Sequence, residues 1–289
     1  MQVEKLDLYA GRGLTETRYT TNWANRFNQE LIKKVRNNIG QSRFGHDGRL
    51  REWTDTLVEC VDLSFASSLG ALADRTKFRE PQSAQSIALN SFLRWQACPG
   101  LLPLADIEGF RELRFGGRCP TGIRGTPPYL DLIATTADSV VAVTSRTTDY
   151  LQKKKTKLAA NYLDIGMGRP FEPWRDLARG VVENRSQLSR VDVASLVKFA
   201  YGLARTFPTH KILLVYLYWE PQGVGTMPLF GVHRAELDEI AAQAKHSKVE
   251  FFAQSFDDLW TSWRDRHDPF WVGELVAQLQ DRFTVVHSA

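Results

Sequence analysis

Cysteine is scarce and badly placed for chemistry. Cys60, Cys98 and Cys119 are odd in number and far apart. No Cys-x-x-Cys pair or Cys/His cluster offers the spacing of a zinc site, and nothing suggests a disulfide framework, so a reduced cytoplasmic chain is expected. Long apolar runs are also missing. None approaches the roughly 20 residues that a helix needs to span a bilayer. The polar start Met1-Gln-Val-Glu-Lys5 lacks the apolar stretch of a signal peptide, so no membrane partner is expected. Three catalytic signatures are absent as well: Gly-x-x-x-x-Gly-Lys-Ser/Thr, His-Glu-x-x-His and Gly-x-Ser-x-Gly. Gly166-Met-Gly168 and Gly223-Val-Gly225 lack the strand-to-helix setting of a phosphate loop and read as ordinary loops.

What remains has globular composition, 43% hydrophobic and 24% charged over 289 residues, enough to bury a full core. The net charge of +4, from 37 basic and 33 acidic side chains, is compatible with an anionic partner without selecting one. No internal repeat or low-complexity tract is present. Residues 1–75 read as an N-terminal helical extension with Asn25–Asn38 its clearest helix and Gly45–Gly48 a breaker. Residues 76–289 read as an α/β domain with C-terminal helices.

Within that domain the spacing of Ile87, Leu89, Phe92, Leu93 and Trp95 predicts a helix over 85–95 that leans on a sheet and ends at Pro99-Gly100. Phe110–Phe115 has strand periodicity, weakened at Gly116-Gly117. Tyr129–Thr136 and Val140–Arg146 are β-rich runs joined by Ala137-Asp-Ser139, a connection of hairpin length. Val193, Leu196, Val197, Ala200, Leu203 and Ala204 mark an amphipathic helix. Lys211–Trp219 is an uninterrupted apolar run of the kind found in strands covered on both faces. Helices over 233–244, 257–266 and 271–282 and a strand over 249–256 complete the pattern.

The hairpin carries the chemistry of interest. Metal-dependent phosphodiester cleavage needs a cation held between carboxylates, lowering the pKa of a water and neutralising the scissile phosphate. Residues two apart on a strand share a face, so Glu-x-Lys on one strand can face an Asp on its neighbour. Pro127-Pro-Tyr-Leu-Asp131 followed by Val140-Val-Ala-Val-Thr-Ser-Arg146 and Thr148-Asp-Tyr-Leu151 resembles the PD-(D/E)XK nuclease superfamily, specifically a bacterial restriction-endonuclease family. The family pattern is approximately Pro-Pro-Asn-Leu-Asp, then Val-Ala-Val-Glu-Ser-Lys, then a Thr-Glu-Tyr-Leu-like segment. Leu196–Leu203, Leu214–Pro221, His233–Leu237 and Leu259–Trp263 are similar to later family segments, so the likeness runs from about Gln82 to Trp263. It implies a restriction-endonuclease-like mixed central sheet flanked by helices.

Departures from the family decide the expected function. Asp131 keeps the metal-ligand position. Thr144 replaces the acid, Arg146 the lysine, Gly116 an upstream Glu, and Ser195 and Phe199 a Gln and a His on the helix that also bears Lys198. An Asp–Glu–Lys trio carries charge −1, whereas Asp131 with Arg146 sums to zero. Threonine is a poor ligand for a hard cation, and arginine cannot act as a general base. The expectation is therefore a non-catalytic protein acting by DNA or protein binding, without a cofactor, and with an Asp131–Arg146 ion pair where the metal would sit. Arg146 could serve that pair or contact a phosphate. The alternative is an active Mg²⁺-dependent DNA endonuclease with relocated ligands. Lys153, Lys154, Lys155 and Lys157, at an expected helix start, read either as a solvated helix face or as a nucleic-acid contact. His233 reads as a residue at a helix N-terminus, and Trp174, Trp219, Trp260, Trp263 and Trp271 as packing residues.

Overall fold

In the computed structural model, residues 13–62, 64, 77–154, 156–266 and 269–287 are described, with side chains from residue 22 onward. The chain is an α/β protein built on one five-stranded mixed sheet in the order β1-β2-β3-β4-β5. The strands are β1 (Glu112–Arg118), β2 (Tyr129–Thr135), β3 (Ser139–Arg146), β4 (Lys211–Tyr218) and β5 (Val249–Ser255). The first three are antiparallel, with Leu132 opposite Val143 in the central hairpin. β3, β4 and β5 are parallel, with Arg146 beside Tyr218 at their carboxyl ends.

Seven α-helices, besides short 3₁₀ turns, are described: α1 (Gly13–Ile39), α2 (Ala84–Phe92), α3 (Glu172–Val182), α4 (Val193–Thr206), α5 (Pro228–Ala244), α6 (Phe256–Arg264) and α7 (Val272–Phe283). Their starts are written in the sequence. Ser83, Asp192 and Ser255 cap α2, α4 and α6 by accepting from the backbone N–H three residues on, and Pro228 opens α5, where its missing N–H costs nothing. None of the described helices is long and apolar enough to cross a membrane.

Strand alternation assigns these helices to two layers. Ser145 of β3 donates to the Ala84 carbonyl of α2, whereas the Arg146 guanidinium lies 5.9 Å from the Tyr216 ring centre on the opposite face. α6 joins the α2 layer through Trp260 Nε1, which donates to Ser91 Oγ at 3.0 Å. α7 packs on α1, α2 and α6, and α3 packs on both α4 and α5. Apolar residues of α1, including Phe27 and Leu31, belong to the same core as the sheet. All five tryptophans expected to pack are buried.

Several expectations need correction. The helix from residue 84 leaves α geometry at Phe92 and continues as a 3₁₀ turn over Leu93–Ala97, well before Pro99. β1 runs through Gly116-Gly117 to Arg118, because β2 pairs along both sides of the glycines. Among the described residues, the lysine run is not helical. A 3₁₀ turn at Asp149–Leu151 gives way to irregular chain, and the Lys154 N–H donates to the Ser189 carbonyl at 2.7 Å. α5 begins five residues before His233, which is therefore interior to the helix and fully buried. Helix α3, between β3 and α4, was not anticipated.

Candidate functional site

Asp131 lies where the β2–β3 ladder has just ended, and its buried carboxylate replaces the missing pairing. Oδ2 accepts from the Ser145 N–H at 2.7 Å and from Ser145 Oγ at 2.6 Å. Burial pushes the Asp131 carboxyl above its ordinary pKa despite those two donors and the nearby Arg146 and Lys77. Across β1, Gly116 occupies the register position facing Asp131, between the pairs Phe115–Leu132 and Gly117–Leu130. Its φ of +69° is one that a glutamate would adopt only with strain.

The expected Asp131–Arg146 ion pair does not form. Arg146 donates to Thr144 Oγ1 at 3.2 Å and to the Ser145 carbonyl at 2.8 Å, and its Nε is 3.6 Å from Asp149 Oδ2. The reason is local. Ser145 offers Asp131 a hydroxyl and an N–H at closer range, while the turn after β3 brings Asp149 back toward the guanidinium. Asp149 is itself held by Lys154 Nζ at 2.6 Å. Nothing in the sequence marks Ser145, a neutral residue between the two pattern positions Thr144 and Arg146.

These residues do not fit a divalent cation. Their one buried carboxylate accepts from Ser145 through Oδ2, Thr144 is neutral, and a guanidinium sits alongside. Among the described residues, no three His, Cys, Asp or Glu side chains gather in a metal-holding group.

Two clefts open at the carboxyl end of β3. One, of about 480 Å³, is lined by Asn28, the start of α2, Ser145, Arg146, Asp149 and Lys154. The other, of about 290 Å³, is lined by Lys154, Lys157, Asp192, Ser195 and Lys198. They share Lys154. The structure thus brings together Arg146, Lys154, Lys157, Ser195 and Lys198, with Asp131 and Thr144 beneath. Lys153 is exposed and lines neither cleft, and Lys155 lies outside the described residues. Phe199 points into the core.

The acids around these clefts are already occupied. Glu80 binds Arg49, Asp149 binds Lys154, and Asp192 caps α4 by accepting from Ser195 N and Oγ. Lys157 and Lys198 have no carboxylate within ion-pair distance among the described residues. Asp192-x-x-Ser195 is a helix-start pattern that the sequence could have revealed.

A second polar group lies behind β4. His233 stacks on Tyr150 with ring centres 3.8 Å apart, and its Nε2 is 3.3 Å from the Tyr216 hydroxyl. Burial lowers the His233 pKa to about 3, with Arg234 and Arg190 adding to it. Glu236, one turn on, accepts from the N–H groups of Ser189, Arg190 and Val191 and from Ser189 Oγ. This group fixes the approach to α4 and faces no cleft described above.

Comparison with family models, curated proteins and solved structures gives no match.

Proposed function

We propose that the chain has the restriction-endonuclease-like fold of the PD-(D/E)XK superfamily and binds duplex DNA without cleaving it. The observation that carries this reading is the convergence of Arg146, Lys154, Lys157 and Lys198 on adjoining clefts, above a carboxylate already engaged by Ser145. The mixed sheet, with its hairpin leading into a parallel pair, supports the fold assignment. A cationic cleft that retains the old position but not the donors for a metal can hold phosphates through charge-assisted hydrogen bonds. Arg146, which stays protonated, is no general base for activating water.

Two measurements test the reading. Fluorescence anisotropy with a labelled duplex should show affinity that falls steeply with salt, and Lys157→Glu with Lys198→Glu should weaken binding and flatten that dependence. Supercoiled plasmid with Mg²⁺ or Mn²⁺ should remain unnicked. Absence of salt-sensitive binding overturns the DNA reading. Metal-dependent nicking that Asp131→Ala abolishes would establish the active endonuclease instead.

A further inference from the structure

The clefts are not the end of the basic surface. On α4, Ser195, Lys198, Gly202 and Arg205 recur at spacings of three and four along one stripe, in which Gly202 is buried. The stripe begins in the cleft at Ser195 and Lys198, and Arg205 lies about 10 Å further along the helix axis than Lys198.

There the segment after β1 crosses the helix. A Cβ on Gly202 would stand 2.2 Å from the Cys119 carbonyl oxygen, and one on Gly122 would stand 2.6 Å from the Arg205 guanidinium carbon. These two glycines let the segment lie flat on α4, with Arg205 across Gly122, whose φ is +82°. On the other side of Cys119, Arg114 is close enough for its charge to act on the thiol.

β1 is an edge strand, and residues 111–124 hold Arg111, Arg114, Arg118 and Arg124 against the single acid Glu112. Arg114, Arg118, Arg124 and Arg205 are exposed. Among the described residues, none of the four has a carboxylate within ion-pair distance. This contrasts with Arg26, Arg43, Arg49, Arg175 and Arg179, each of which has an acidic partner.

We infer that Arg114, Arg118, Arg124 and Arg205 form a second phosphate-contacting tract, beyond the crossing at Gly202 and at the far end of α4 from the cleft, over which the same DNA duplex runs toward the β1 edge. The inference rests on the proposed DNA binding and extends it to a defined path. Guanidinium groups suit this surface because their planar fork engages phosphate oxygens in a bidentate manner. A duplex presents one charge per roughly 1.7 Å of axis, enough to engage the tract and the cleft together.

The test compares wild type, an edge variant (R114Q/R118Q/R124Q) and a cleft variant (K157Q/K198Q) by anisotropy with a duplex of about 24 base pairs at several salt concentrations. All three edge positions are surface side chains, and thermal unfolding checks that the fold is intact. The single R118E variant supplies a second reading if the triple variant is unstable. The edge variant should bind at least about tenfold more weakly than wild type at about 150 mM salt, with the slope of log affinity against log salt reduced by about 2 to 3. An edge variant with wild-type affinity and slope, beside a weakened cleft variant, overturns the second tract and leaves the proposed function standing. No salt-sensitive binding by the wild type overturns both. Weakening by the edge variant alone overturns the shared path and places DNA on the β1 edge.

Discussion

Asp131 and Glu236 are both buried carboxylates braced by hydrogen bonds, yet only one belongs to a pattern that suggests catalysis. Asp131 takes two bonds, both from Ser145. Glu236 takes four, from three consecutive residues ahead of α4. Asp131 lies beneath a cleft, whereas Glu236 and its neighbour His233 are packed behind β4. The difference teaches that position alone does not make an acid reactive: Glu236 braces through both oxygens, and Asp131 ties β2 to Ser145 through Oδ2. Both acids are braces here, and the chemistry facing solvent is cationic.

The comparison can be broken most severely at Glu236. Glu236→Ala strands three backbone N–H groups and a hydroxyl in a largely buried setting and should cost about 3–5 kcal/mol in urea denaturation, with Glu236→Gln intermediate because its amide oxygen still accepts. A loss below about 1 kcal/mol for the alanine variant would mean that water takes over these bonds.

His233 comes next. Its folded pKa of about 3 lies below the ordinary 6.5, so between those values the unfolded chain binds the extra proton and stability falls as pH falls. The loss from pH 7 to 5 should be about 2 kcal/mol. His233→Phe, which keeps the stacking on Tyr150, should remove that component. An unchanged pH profile would show that the imidazole is hydrated in the native state.

Much of the fold was legible because it rests on periodicity and punctuation. The β2–β3 hairpin, α4 and the run that became β4 all follow from residue spacing. The errors came where tertiary contacts override local pattern. β1 passes through Gly116-Gly117 because β2 pairs on both sides of them, and the lysine run after β3 is held out of helix while Lys154 pairs with Ser189. At the site, the absence of an acid at Thr144 and of a lysine at Arg146 was readable. The partner of Asp131 was not, because net charge favoured Arg146 and only geometry reveals that Ser145 is closer. The pairing of Arg205 with the 119–122 segment was equally hidden, since it depends on two glycines some 80 residues apart in sequence.

The smallest expected effect separates Asp131 most cleanly from an ion-paired acid. Burial raises its folded pKa above the unfolded value. Between those two values the native state binds more protons than the unfolded one, and stability falls as pH rises, the opposite sign to His233. Asp131→Asn removes that ionisation and keeps an oxygen to accept from Ser145 N and Oγ, so stability at pH 7 should change by less than about 1 kcal/mol. Denaturation measured from neutral pH into acid should show the variant doing best relative to wild type at neutral pH, with its relative standing declining as wild-type Asp131 becomes protonated. If wild type instead lost ground to the variant on acidification, Asp131 would be an anion with a lowered pKa. The charge of Arg146 would then govern the site, and Ser145 would be the lesser partner.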